Sequence, residues 1–214
     1  MIPLRIVARL GGPSTGAPIL DGLLAFVVAQ RAGLVAGFGP LQPIDIPIAT
    51  DQTERIYMCS SPSVRWEARE LRYLNRKFPI GEAQMLAEPK LKRVNISMGA
   101  CRSYRLPGDV AWAEGDSIAW WCIGDAEKIS MLLRDVTHLG KRRAVGRGRV
   151  DRWEVEMCEP WDEGFPVVRD GMPLRPLPLD WPGLAQDVTT GYSTLRPPYW
   201  LHANESLCAM PSNA

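Results

Sequence analysis

Apolar and polar positions divide this chain into segments that alternate and segments that turn with a helical period. Leu4-Arg5-Ile6-Val7-Ala8-Arg9-Leu10 alternates, with basic residues on one side, and reads as a strand with one polar face. The turn Gly11-Gly12-Pro13-Ser14-Thr15-Gly16 stops it. Residues 19–31 are apolar nearly all round, broken only by Asp21 and Gly22 before the polar end at Gln30 and Arg31, which predicts a buried helix closed by Gly33. Residues 44–49 alternate again, and Pro47 makes them an edge strand, with residues 56–59 expected to pair across the polar turn 50–54. Arg65, Arg69, Arg72 and Arg76 recur at three- and four-residue steps, so a short helix with one cationic stripe is expected over 65–77. Residues 117–123 form a buried strand. Asp125 then caps a helix over 126–139, in which Ile129, Leu132, Leu133 and Val136 share a face and Gly140 is the stop. Residues 150–157 alternate cleanly and give another strand.

With a long insertion at about 62–115 set aside, this order is β-α-β-β-α-β. The fold class expected is therefore α+β, ferredoxin-like (RRM-like), over residues 1–160. Residues 161–214 are rich in proline and carry enough apolar residues to pack over the core as an irregular extension or short hairpins. The ferredoxin-like fold serves many functions, so it decides none.

The formal net charge is only +1, which removes any bulk argument for nucleic-acid binding, but the charge is unevenly placed. Residues 65–105 hold ten Lys/Arg against four Asp/Glu, and residues 141–149 hold five against none. Segregated charge makes a field with a direction. Five cysteines at 59, 101, 122, 158 and 208 form no C-x-x-C pair and suggest neither a disulfide framework nor a metal site. The N-terminal residues lack the cationic start and apolar run of a signal peptide, and the apolar helix is too short to span a bilayer, so a cytoplasmic protein without a membrane segment is expected.

The candidate chemistry lies in Gly140-Lys141-Arg142-Arg143-Ala144-Val145-Gly146-Arg147-Gly148-Arg149, between the second helix and the last strand. Glycine permits positive φ and close backbone approach, and the cations supply charge for phosphates. Lys141, Arg142, Arg143, Arg147 and Arg149 are the expected phosphate contacts, with Gly146 and Gly148 letting an RNA strand come close. The basic stretch 90–105 adds Lys90, Lys92, Arg93, Arg102, Tyr104 and Arg105, either as an arm that wraps nucleic acid or as a solvent-exposed insertion. Tyr104 and Trp112 are candidates to stack on unpaired bases. His138 and His202 are the two histidines. If the chain cleaves RNA without metal, His138 and Arg143 are the candidate catalytic pair. No G-x-S-x-G turn, H-E-x-x-H or Walker loop is present, and no cofactor is called for.

This loop resembles that of the RAMP proteins of CRISPR–Cas systems, Gly-apolar-Gly, five residues with Lys or Arg, then Gly-apolar-Gly. His138 stands where the first glycine falls and Arg147 where an apolar residue falls. With Leu20-Asp21-Gly22-Leu23-Leu24-Ala25, Arg175-Pro176-Leu177-Pro178 and Pro197-Pro198-Tyr199-Trp200, the chain is similar to the RAMP subunit of type IV CRISPR effector complexes that holds the five-prime handle of the guide RNA (crRNA). The resemblance implies a non-catalytic binding subunit that caps the backbone filament, with the inserted stretch as a thumb docked on a neighbouring backbone subunit. The implied partners are guide RNA, backbone RAMP subunits and the large subunit, with target DNA and a helicase as indirect partners. It also leaves open metal-independent processing of guide RNA, the activity of a sister RAMP class.

Overall fold

The computed structural model describes residues 1–34, 44–53, 56–81, 85, 95, 97–98, 102–199, 201 and 205–211. Lys90, Lys92 and Arg93 of the expected arm, with Cys101, Trp200 and His202, lie outside the described residues.

Alternation gives β1 (Ile2–Leu10) one face that must be buried, and the strand occupies the middle of a sheet. It pairs antiparallel with β4 (Ser117–Gly124) on one side and with β5 (Val150–Met157) on the other. Leu4, Ile6, Ala8 and Leu10 join Ile118, Trp120 and Cys122 on the inner face, and α1 (Leu20–Arg31) and α2 (Ala126–Leu133) close over it with Leu20, Leu24, Val27, Ile129 and Leu133. Each fully buried Leu or Ile stabilises this layer by about 1.5–3 kcal/mol. On the outer face Arg9 donates to Glu154 Oε2 at 2.9 Å, and Arg152 pairs with Glu154 Oε1 at 2.8 Å.

The sheet continues past β4 through isolated bridges rather than a regular strand: Ile48 to Gly124, Cys59 to Cys122 and Ser63 to Ala119. The expected hairpin of 44–49 with 56–59 is reduced to a single bridge, Thr50 to Tyr57, because both segments spend their backbone groups on β4, as in Ala49 N–H to Ile123 O at 2.8 Å and Ser60 N–H to Trp121 O at 2.8 Å.

Two expectations about helices are corrected. Residues 65–77 form no helix but a strand, β2 (Trp66–Arg76), laddered over its whole length with β3 (Tyr104–Ala113). Trp66, Leu71, Tyr73 and Leu74 favour a pleated surface, and an available partner strand overrides the helical spacing of the arginines. In a strand Arg69 and Arg72 point to opposite faces, so the single cationic stripe is split. The ribbon is rooted in the body where Ser14 and Ala111 exchange backbone hydrogen bonds of 2.8 and 2.9 Å. The helix expected over 126–139 ends at Leu133, because residues 137–139 turn instead to pair with the start of β5.

The C-terminal residues fold as the two-residue strands β6 (Val168–Arg169), β7 (Met172–Pro173) and β8 (Leu177–Pro178), then β9 (Thr190–Thr194) and β10 (Glu205–Ala209). β10 lies between β8 and β9. One buried cluster fastens this segment to the body. Arg175 and Asp21 are both 0% exposed and paired at 3.1 Å. The Tyr199 hydroxyl donates to the Asp21 carboxylate at 2.6 Å, and Arg175 donates to the carbonyls of Tyr57 (2.7 Å) and Leu195 (2.6 Å). Burial acts to lower the Arg175 pKa, and Asp21 foremost, together with Tyr199 and Cys59, more than offsets it, so the guanidinium stays charged. Burial raises the Tyr199 phenol well above its ordinary value, which keeps it a proton donor.

Candidate nucleic-acid interface

The basic loop is a closed structure with a short neck. Leu139 N–H donates to Gly148 O at 2.7 Å, Val150 N–H to Thr137 O at 2.8 Å, and His138 bridges Arg149. A Cβ on Gly148 would stand 2.0 Å from Leu139 O, and its φ is +66°, so the neck closes only with glycine there. The turn after β1 supports the loop from below. Gly11 N–H donates to Arg149 O and Gly148 N–H to Pro13 O, both at 2.9 Å, while the Thr15 hydroxyl accepts from Lys141 N–H at 2.7 Å and donates to Lys141 O at 3.1 Å. Two indoles fix the flanks: Trp120 Nε1 donates to Pro18 O at 3.1 Å and Trp153 Nε1 to Val136 O at 2.9 Å.

The five cations take different roles. Arg142, at φ +62°, lays its guanidinium over Gly108 of β3 and donates from Nη2 to Pro107 O at 2.7 Å. Its buried Nη1 has no hydrogen-bond partner. Arg147 donates to Asp109 O at 3.4 Å, and its pKa is lowered by burial and then by the charges of Arg142 and Arg72. The loop is thus docked on the ribbon by two arginines that repel one another and Arg72, which itself pairs with Glu70 at 2.9 Å. Arg149 folds over Gly11 and pairs with Asp151 at 2.9 Å. Lys141 and Arg143 stand exposed, and among the described residues neither meets a carboxylate. Gly146 N–H closes the short 3-10 turn Arg143–Val145 by donating to Arg143 O at 2.9 Å, and Gly148 is buried, so both amides are engaged within the protein.

Arg102, Tyr104 and Arg105 are not part of this group. They lie toward the outer end of the ribbon, where Arg105 stacks 3.8 Å above the Tyr73 ring, roughly 7 Å along the strand from Pro107. Trp112 is half-buried nearer the body, under the Arg72 guanidinium at 5.2 Å. The structure therefore brings Arg72 into the neighbourhood of the loop and separates the outer-ribbon residues from it.

His138 lies beside the neck with Nδ1 3.0 Å from the Thr137 hydroxyl. It and Arg143 line one cavity of about 440 Å³, together with residues 15–18, Gly22, Leu23, Phe26 and residues 139–141. Phe26 is the residue the sequence hid: in a helix that reads as apolar all round, its ring is 51% exposed, with the Arg143 guanidinium 5.7 Å from its centre. No local pattern marks it, because its exposure depends on where a loop over a hundred residues later crosses α1. Among the described residues, no group of three His, Cys, Asp or Glu side chains is arranged to hold a metal ion, and no helix is long and apolar enough to cross a membrane.

The three short sequences at 20–25, 175–178 and 197–200 meet in space, since Asp21, Arg175 and Tyr199 are the buried cluster that joins α1 to the C-terminal segment. Among curated proteins, none matches this chain. The family of CRISPR type IV associated protein Csf3 matches residues 75–211, which take in α2, the basic loop, β5 and most of the C-terminal segment, and the chain belongs to that family.

Proposed function

We propose that this chain is a non-catalytic RNA-binding subunit of a type IV CRISPR ribonucleoprotein, a RAMP-type protein that holds the five-prime handle of the guide RNA and caps the backbone filament. The observation that carries this reading is the pair Lys141 and Arg143, exposed and without carboxylate partners on a loop whose neck and underside are hydrogen-bonded to the body. A loop held this way presents charge at little further entropic cost, so phosphates gain most of the Coulomb attraction. The antiparallel order β4-β1-β5, with a bridged segment outside β4 and both helices on one face, supports a ferredoxin-like body. The ribbon β2–β3, with exposed Leu71, Tyr73 and Leu106, suits a thumb that docks on a neighbouring backbone subunit. The large subunit, target DNA and a helicase are then met through the assembly rather than through this loop.

Metal-independent cleavage of guide RNA is the second reading, and it is favoured by His138 and Arg143 lining the same cavity. One experiment separates the two. Handle RNA is titrated by fluorescence anisotropy at several salt concentrations without metal, and the products are run on a denaturing gel. Intact RNA is expected, with affinity falling steeply as salt rises. Lys141→Ala/Arg143→Ala is expected to weaken binding by about tenfold or more with an unchanged melting temperature. Unchanged affinity would remove the loop from the interface, and cleavage lost in His138→Ala would establish the nuclease.

A further inference from the structure

We propose that the cavity between α1 and the basic loop is a pocket for one unpaired nucleobase, stacked on Phe26 under Arg143. This rests on the RNA-binding reading above and adds where a base, rather than a phosphate, is held.

The cavity's volume of about 440 Å³ lies within the range of small-molecule sites. Its lining is largely apolar, with Ala17, Pro18, Leu23 and Phe26, and also includes the exposed Lys141 and Arg143 and the half-buried His138. Leaving a phenylalanine half-exposed among the buried Leu23, Leu24, Ala25 and Val27 of α1 sacrifices apolar burial, and the sacrifice is recovered when a flat aromatic partner covers the ring. The Arg143 guanidinium is 5.7 Å from the ring centre, short of the roughly 7 Å that a base between the two needs, and its exposed side chain has to lift to make a planar lid; Arg guanidinium planes and Phe rings are the surfaces on which unstacked bases are received. The walls hold their shape without a ligand. Gly140, at φ +75°, could not carry a Cβ without meeting Gly16 O at 2.5 Å, and Thr15 is bonded on both sides to Lys141. The lining cations select the occupant. An apolar peptide gains nothing from them, whereas a nucleotide places its base on Phe26 and its phosphate against Lys141 and Arg143. A duplex cannot present a base in this way, so the pocket takes single-stranded RNA.

The test places 2-aminopurine singly at each handle position and follows binding to the purified full-length protein by anisotropy and by base fluorescence. One position is expected to change its emission on binding. Phe26→Trp is expected to quench emission at that position alone, and Phe26→Ala to weaken binding by about tenfold while leaving the melting temperature within a few degrees. RNA that binds at full affinity with no position responding, or with Phe26→Trp quenching none, overturns the pocket and leaves the loop reading intact. RNA that does not bind at all overturns both.

Discussion

At Gly148 and Gly146 the same left-handed backbone serves different ends. Both have positive φ, at +66° and +78°, but a Cβ on Gly148 would collide with Leu139 O whereas one on Gly146 would meet nothing within 4 Å. Gly148→Ala is therefore expected to cost about 2–3 kcal/mol and lower the melting temperature by roughly 4–12 °C, against about 1–2 kcal/mol for Gly146→Ala. Differential scanning fluorimetry of the two variants checks this, and equal losses would mean that the neck is not closed in solution. At this scale the sequence shows five cations close together and not how their charges are spent. Five cations within nine residues look alike in the sequence. Whether one is free depends on Pro107, Gly108 and Asp151, and the first two belong to a ribbon that local spacing could not place.

Elements explain why some readings survive folding. Strands β1 and β5 were legible because apolar and polar residues alternate along them, β4 because it is a short apolar run, and α1 because its apolar content leaves no other choice. The stretch 65–77 was not legible, since arginines at helical spacing say nothing about a partner strand some thirty residues onward that completes a ladder. The shortened α2 has the same origin: Val136 and Leu139 keep the helical pattern and are buried, but they lie past the end of the helix, where Val136 N–H closes a turn on Leu133 O at 3.0 Å and Leu139 N–H donates to Gly148 O. Between elements, the Asp21–Arg175–Tyr199 cluster carries the attachment of the C-terminal segment to α1. Arg175→Met leaves the Asp21 carboxylate buried and uncompensated and is expected to cost about 3–5 kcal/mol in urea unfolding, while Arg175→Met with Asp21→Leu recovers much of it. No recovery in the double variant would mean that the pair does more than neutralise itself.

Across the whole molecule, charge is managed in two ways. Away from the loop, several cations meet carboxylates while Arg105 and Arg169 lie over aromatic rings, and hydrogen bonds hold some of those acids below their ordinary pKa: Arg9 lowers Glu154, Arg31 lowers Asp135, and the Lys128 backbone N–H lowers the cap Asp125. Acids depressed in the folded state add stability that is present above their unfolded values and is lost as pH falls through the folded ones. The urea midpoint is thus expected to hold from neutral pH down to about 4–5 and to decline below. A midpoint that rises on acidification would contradict these pairings. At the loop Arg149 is paired with Asp151, while Lys141 and Arg143 meet no carboxylate among the described residues, which is the feature the proposed RNA contact rests on. The most direct measurement is ultraviolet cross-linking and mass spectrometry on the complex purified with its guide. Cross-links from residues 139–149 to the five-prime end of the RNA are expected; cross-links confined to other faces of the protein, with this loop unmodified, would contradict the assignment.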